Sequence, residues 1–211
     1  LDGQLVGRVP RAVRERQLLD VGEKLFMLHG YEGTSVEDVA RAAGVTRPVV
    51  YEHHGDKDAL FVACVRRARR EFEQALMTAT AEAAAAPDAD IPAVLEHGGR
   101  LFFGRLERDP RRCALLLTTG SGPVGRRLAE LRDGTVERIA ELIAAQAPDL
   151  TDPTVRTAAA RVVVGVAEEL ARWWLSSPDI PRERMVGYFC TFVTPGLLRV
   201  LEEAREQRRA G

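Results

Sequence analysis

Two residue types are almost missing from this chain of 211 residues. It has no asparagine, and of its 30 basic residues only Lys24 and Lys57 are lysines, a bias that fits GC-rich coding more than any chemistry. No run of 18 or more apolar residues occurs, so no bilayer-spanning helix is expected. The opening stretch LDGQLVGRVPRAVRER has no apolar core of the kind a signal peptide needs, and a cytoplasmic location is expected. The three cysteines, Cys64, Cys113 and Cys190, are an odd number without paired spacing. They read as buried free thiols of a reducing compartment. The four histidines include no H-x-x-x-H pair, so no metal and no other cofactor is expected. No nucleophile elbow and no paired-carboxylate motif is present, so no enzyme is expected. Sustained period-2 alternation is absent too, which argues against sheet, and no internal repeat is found. The net charge of −1 carries no basic excess, and residues 1–60 hold 8 Lys and Arg against 10 Asp and Glu.

What is present is helical periodicity from end to end. An apolar fraction of 45% and a charged fraction of 29% are those of a soluble globular protein. The length is enough for a small domain followed by a larger one. A first helix is expected from about Arg11 to His29 on Leu18, Val21, Leu25 and Leu28, ended by Gly30 with Tyr31 as the hydrophobic contact. Arg8, Arg11, Arg14 and Arg16 form a basic arm at its start.

Residues 34–57, TSVEDVARAAGVTRPVVYEHHGDK, then read as helix, tight turn and helix. Thr34 can N-cap the first of these, with Glu37 completing a capping box. Val36, Val39, Ala40 and Ala43 recur at i, i+3, i+4 and i+7 and make one apolar face. Gly44 supplies a turn residue able to take positive φ. Thr46 can cap the second helix, and Pro48 sits in its first turn, where a missing N–H costs little. Val50 faces inward, which leaves Arg47, Val49, Tyr51 and His53 outward. A helix this short is not stable alone. Its polar outer face suits a DNA major groove, where Arg reads guanine edges and hydroxyl or imidazole groups reach phosphates. The same spacing also suits an ordinary helical hairpin.

Residues 11–64 as a whole resemble the DNA-binding domain of TetR-family transcriptional regulators. The resemblance rests on Gly30-Tyr31, Thr34-Ser35-Val36, Asp38-Val39-Ala40, Ala43-Gly44-Val45-Thr46, Tyr51, Lys57 and Leu60-Phe61. It implies a homodimer that represses transcription until a small molecule binds its C-terminal half. It also implies that Arg47, Pro48 and Val49 approach bases, that Thr46, Tyr51, His53 and Lys57 hold phosphates, and that Thr34 belongs with this DNA-binding set. His54 departs from the family, which usually has Phe there. It is expected to be partly buried, and its protonation is a candidate for weakening DNA binding at mildly acidic pH.

The remainder reads as a helical bundle. A long helix from the cap residue Asp56 to about Ala85 is followed by a break at 86–90. Further helices are expected over 91–108, 110–119, 124–147 and 152–176, and from about Pro181 onward. Gly98, Gly99 and Gly104 leave room for close backbone approach or a ligand. Thr194-Pro195-Gly196 is expected to kink the last helix, and the tail EEAREQRRAG is expected to fray. GSGPVG at 120–125 matches G-x-G-x-x-G formally, but no strand precedes it, so it is read as a loop. The expected architecture is therefore all-α with about nine helices. A helix-turn-helix DNA-binding domain (8–58) precedes a ligand-binding and dimerisation domain (59–211).

Candidate pocket residues are His97, Phe102, Phe103, Leu116, Thr119 and Trp174, suggesting an uncharged, largely apolar or aromatic ligand. The wide apolar faces of the last two long helices suggest a four-helix dimer interface using Val162, Val166, Phe189, Phe192, Val193 and Leu197. Two recognition helices about 34 Å apart would then meet successive major grooves of a palindromic operator on double-stranded DNA. The alternatives are a helical small-molecule-binding or adaptor protein without DNA binding, an all-α enzyme with a dispersed site, and an activator in place of a repressor.

Overall fold

The structure, a computed structural model, describes residues 9–86 and 89–210; Arg8 lies outside them. Among the described residues there are nine α-helices and no strand. They are α1 (Arg11–His29), α2 (Val36–Ala43), α3 (Arg47–His54), α4 (Lys57–Ala84), α5 (Ile91–Arg108), α6 (Pro110–Leu116), α7 (Gly122–Gln146), α8 (Pro153–Ser176) and α9 (Arg182–Ala210). The chain divides into two compact units between Arg67 and Ala68, within α4.

In the first unit, each helix end has a chemical cause. Gly30 closes α1 at φ 71°, its N–H bonded to the Phe26 carbonyl. The ring of the following Tyr31 lies 4.9 Å from that of Phe61, which itself meets Phe26 edge-on. The cap of α2 is one residue later than the spacing suggested. Ser35, not Thr34, accepts from the Asp38 N–H at 3.1 Å, and Asp38 in return accepts from the Ser35 N–H at 3.0 Å. The capping box is thus Ser35/Asp38 instead of Thr34/Glu37. Thr34 is buried, its hydroxyl 2.8 Å from the Gly30 carbonyl oxygen. Gly44 sits at φ 65°, ψ 35°, and its N–H reaches the last carbonyls of α2. Thr46 holds the cap position of α3 with extended backbone but makes no side-chain cap bond. Val36, Val39, Ala40, Ala43 and Val50 are all buried.

Asp56 caps α4, accepting from the Ala59 N–H at 2.6 Å. Its first turns pack on α1: a Cβ at Gly22 would stand only 3.3 Å from the Cys64 sulfur. Leu18 and Phe26 form the buried face of α1, while Leu28 is exposed. Glu23, also buried, is paired with Arg67, whose Nε lies 3.1 Å from its carboxylate. Arg67 also reaches Asp20 at 2.6 Å.

In the second unit, Asp90, Asp109 and Asp152 cap α5, α6 and α8, each followed by proline in the first turn. Helix α6 stops at Leu116, three residues earlier than Thr119. One core cluster gathers Phe103, Leu106, Trp174, Met185 and Phe189, and another Val136, Ile143, Val164, Leu197 and Leu201. Gly99 lets α5 and α9 approach closely, since a Cβ there would lie 2.9 Å from the Phe189 ring. The helical assignment of α9 runs unbroken through Pro195. Its tail is docked, contrary to the expected fraying. Arg205 and Arg208 pair with Asp149 at 3.1 and 2.8 Å, and Arg208 also donates to the Asp149 carbonyl at 2.8 Å. No described helix is long and apolar enough to cross a membrane.

Candidate nucleic-acid face and ligand cavity

The outward side of α3 presents Arg47, Pro48 and Tyr51, all exposed, with Val49 and His53 half-buried beside them. Arg47 is held by Glu37 of α2 at 3.1 Å, and Arg41 reaches the same carboxylate at 3.5 Å. These groups are more than half exposed. Such a pair is worth roughly 0–1 kcal/mol, so a phosphate or guanine edge can displace Glu37 from Arg47 cheaply. Thr46 is exposed next to them. Lys57 stands at the start of α4 with its ammonium 4.2 Å from the centre of the Tyr31 ring. The Tyr31 hydroxyl bonds to Asp58, and that bond to a carboxylate pushes its pKa up to about 12. Thr34 does not join this face. It is buried and its hydroxyl is spent on backbone carbonyls, so it shapes the α1–α2 connection from inside.

The acidic excess of this region is mostly spent internally. Asp38 serves the cap of α2, and hydrogen bonds from Ser35 hold its carboxyl below the usual range. Asp56 caps α4, Asp58 takes Tyr31, and Asp20 and Glu23 take Arg67. Arg11 and Arg16 remain exposed on α1, while Arg14 donates to Gln17 at 2.5 Å. The histidines differ from their neighbours. His53 Nδ1 and His54 Nε2 are buried without a hydrogen-bond partner among the described residues. Burial holds the His54 pKa below its ordinary value, opposed by Glu15 and assisted by His53.

The second unit contains a cavity of about 150 Å³. Its walls come from α4, α5, α7, α8 and α9 and from the end of α6. Phe102, Phe103 and Leu116 line it, together with Phe72, Phe189 and Leu197. His97 and Thr119 do not; both are exposed. Nor does Trp174, a buried core residue whose indole N–H donates to the Ile180 carbonyl at 2.7 Å. The residues missed from sequence are the charged ones. Arg69, Glu73 and Glu168 all line the cavity. Arg69, Phe72, Glu73, Leu76 and Thr80 recur at helical spacing on α4. Charge placed on an otherwise apolar stripe was the available signal.

Of the six expected interface residues, three are consumed by the unit's own core. Phe189, Val193 and Leu197 are buried at i, i+4 and i+8. Phe192, one position round the helix, is 64% exposed, and Val162 on α8 is 54% exposed. Val166 packs half-buried at the core edge. Phe192 continues an outward aromatic row with Tyr188 and Trp173, the rings spaced 6.4 and 6.1 Å apart.

Two short helices joined by a left-handed glycine turn, the second with an exposed polar face, define a helix-turn-helix protein. Residues 18–64 match the family described as bacterial regulatory proteins, tetR family. The chain is 25% identical over 205 residues to the HTH-type transcriptional activator FasR of Mycolicibacterium smegmatis, a match covering 92% of this chain and 87% of that protein. It is 39% identical over 57 residues to the HTH-type transcriptional repressor AcnR of Corynebacterium efficiens, covering 26% and 30% respectively. Among solved structures, a TetR-like transcriptional regulator from Rhodococcus sp. RHA1 superposes with a TM-score of 0.65 at 25% identity, covering 90% of this chain and 99% of that one. Residues 18–64 thus carry the domain of bacterial regulatory proteins of the tetR family, and the whole chain is similar to regulators of that kind.

Proposed function

We propose that this regulator binds a palindromic operator as a homodimer, acts as a repressor, and is released by a small-molecule effector held in the cavity of its second unit. The observation that carries the reading is the exposed face of α3. Arg47 and Tyr51 there are exposed, and among the described residues Arg47 is restrained only by the weak exposed pair with Glu37. In this reading Arg47, Pro48 and Val49 meet base edges, and Thr46, Tyr51, His53 and Lys57 meet phosphates. Residues 8–58 serve DNA and 59–211 serve the effector and the second protomer. Exposed Trp173, Phe192 and Val162, with half-buried Tyr188 between the two aromatic rings, supply the apolar surface for that protomer, since exposed apolar patches mark interaction sites.

The effector acts by population shift. It must prefer the form that does not bind DNA, and a complete switch needs a preference of about 10⁴-fold, near 5.5 kcal/mol. Helix α4 carries Arg67, tied to α1, two residues from Arg69 at the cavity, which makes it the element through which the effector is felt. The relatives include an activator and a repressor by name, so the sign of the response is open to the same test. That test is selection of bound genomic fragments by the purified chain. The reading expects one enriched palindrome, with enrichment lost in Arg47→Ala and Tyr51→Ala. A folded dimer that enriches nothing at low salt would return the chain to the adaptor alternative.

A further inference from the structure

The cavity walls are mostly apolar, with Thr80 and Gln146 among them; Arg69, Glu73, Thr135 and Glu168 also line it and interlock with Arg132 and Arg138 behind them. Glu73 accepts from the Thr135 hydroxyl at 2.6 Å and from Arg138 Nε at 2.7 Å. Glu168 accepts from Arg132 Nε at 2.7 Å and has Arg69 Nη2 at 3.6 Å. Arg69 donates through Nη2 to the Leu116 carbonyl at 2.7 Å and through Nη1 to Thr135 at 3.1 Å. Both carboxylates therefore have a cation, and both terminal nitrogens of Arg69 are engaged. Its Nε–H is buried without a partner among the described residues. An unsatisfied buried donor is costly, the more so when it is charged, so it is a feature in need of an acceptor.

From this we propose that the effector is a small, neutral, apolar molecule with a single hydrogen-bond acceptor, and that Arg69 Nε–H is the group that reads it; the proposal rests on the cavity being the effector site. Three observations select this class. A void of roughly 150 Å³ holds one benzene-sized ring, and the walls here include Phe72, Phe102 and Phe103. Among the charged groups of the lining one donor, Arg69 Nε–H, has no partner among the described residues, which matches one acceptor; a carboxylate taking two parallel N–H bonds would need Nη2 as well, and that atom is spent. The charged groups lining the cavity are one cation and two carboxylates, so an added anion would be buried beside Glu73 and Glu168. An added cation would find both carboxylates already paired.

Four probes of one shape separate the possibilities: acetophenone, ethylbenzene, benzoate and benzylamine, titrated calorimetrically into the full-length chain. The expected order places acetophenone tightest, about 10-fold or more above ethylbenzene, as a hydrogen bond to a charged donor is worth about 1.5–3 kcal/mol. Benzoate and benzylamine should bind more weakly than ethylbenzene. Arg69→Met should bring acetophenone down to the level of ethylbenzene while leaving ethylbenzene bound. Arg69→Lys, which keeps the charge opposite Glu168, serves if the methionine variant does not fold. Benzoate or benzylamine at or above acetophenone, equal binding of acetophenone and ethylbenzene, or no binding of any probe would each overturn the assignment. None of these readouts involves DNA. A chain that binds acetophenone in this order but no operator keeps the ligand assignment and loses the regulator reading, while the reverse pattern does the opposite.

Discussion

The two units use charge in opposite ways. In the first, the charges proposed to meet DNA stand outside, on α3 and at the start of α4, and most of the acidic residues are tied up in caps and pairs that hold the helices in place. In the second, the charges proposed to meet the effector are inside, a paired cluster among mostly apolar cavity walls. An outward charge costs little to keep and little to remove, whereas an inward one is held only while every partner is in place. The first arrangement makes a surface that can exchange partners, and the second makes a site of fixed polarity.

The sharpest way to break this comparison is to truncate one large side chain in each unit. Phe103 is fully buried and meets the rings of Phe102, Trp174 and Phe189 at 5.1, 5.9 and 6.3 Å. Phe103→Ala should cost about 3–5 kcal/mol of stability. Tyr51→Ala, at a position 47% exposed, should change stability by no more than about 0.5 kcal/mol while weakening DNA binding. Denaturant titration of both variants checks the pair. Next in size is Gly99→Ala, whose new Cβ would lie 2.9 Å from the enclosed Phe189 ring. A loss of about 1–3 kcal/mol is expected from this overpacking, read by thermal unfolding; Gly98→Ala, with its nearest neighbours at 3.6 Å, should be close to neutral.

A smaller effect tests the cap of α2. Ser35→Ala should cost about 1 kcal/mol, and Glu37→Ala should cost much less, because Asp38 and not Glu37 closes the capping box. Smallest is a pH effect on the first unit. Burial lowers the His54 pKa in the folded state, so the unfolded chain binds the proton more readily. Stability is then complete above the ordinary histidine pKa of about 6.5 and falls as pH drops below it. His54→Phe should flatten that dependence in urea titrations between pH 7.5 and 5.

The comparison also explains which parts could be read in advance. The helix-turn-helix is built from contacts a few residues apart, so Gly44, Val50 and Asp56 announce it through spacing and turn chemistry. The cap of α2 was misplaced by one residue because Thr34-Ser35 and Glu37-Asp38 offer two boxes in adjacent registers. The choice between them is made by burial of Thr34 under the α1–α2 connection. The cavity depends on pairs such as Arg69–Glu168 and Glu73–Thr135, separated by many turns of chain. Phe102 and Phe103 stood out as a pocket wall by composition, but His97 beside two glycines did not face inward. The face of α5 that meets the cavity and α9 is set by Gly98, Gly99, Phe102 and Phe103. Likewise, Phe189, Val193 and Leu197 and the neighbouring Phe192 all look apolar in sequence, and only packing decides which turn inward.

The exposed side of α3 is proposed to bind DNA through Arg47, whose pair with Glu37 is weak and exposed. The most direct measurement is the affinity of the chain for its selected operator as salt is raised, for wild type and Arg47→Ala. Wild type should lose affinity steeply, as expected when bound counterions are released from the phosphate backbone. The variant should bind more weakly at every salt concentration with unchanged stability and relaxed discrimination between operator and scrambled DNA. A variant that binds and discriminates as wild type does, with the same salt slope, would contradict the claim and place the contact surface elsewhere on the molecule.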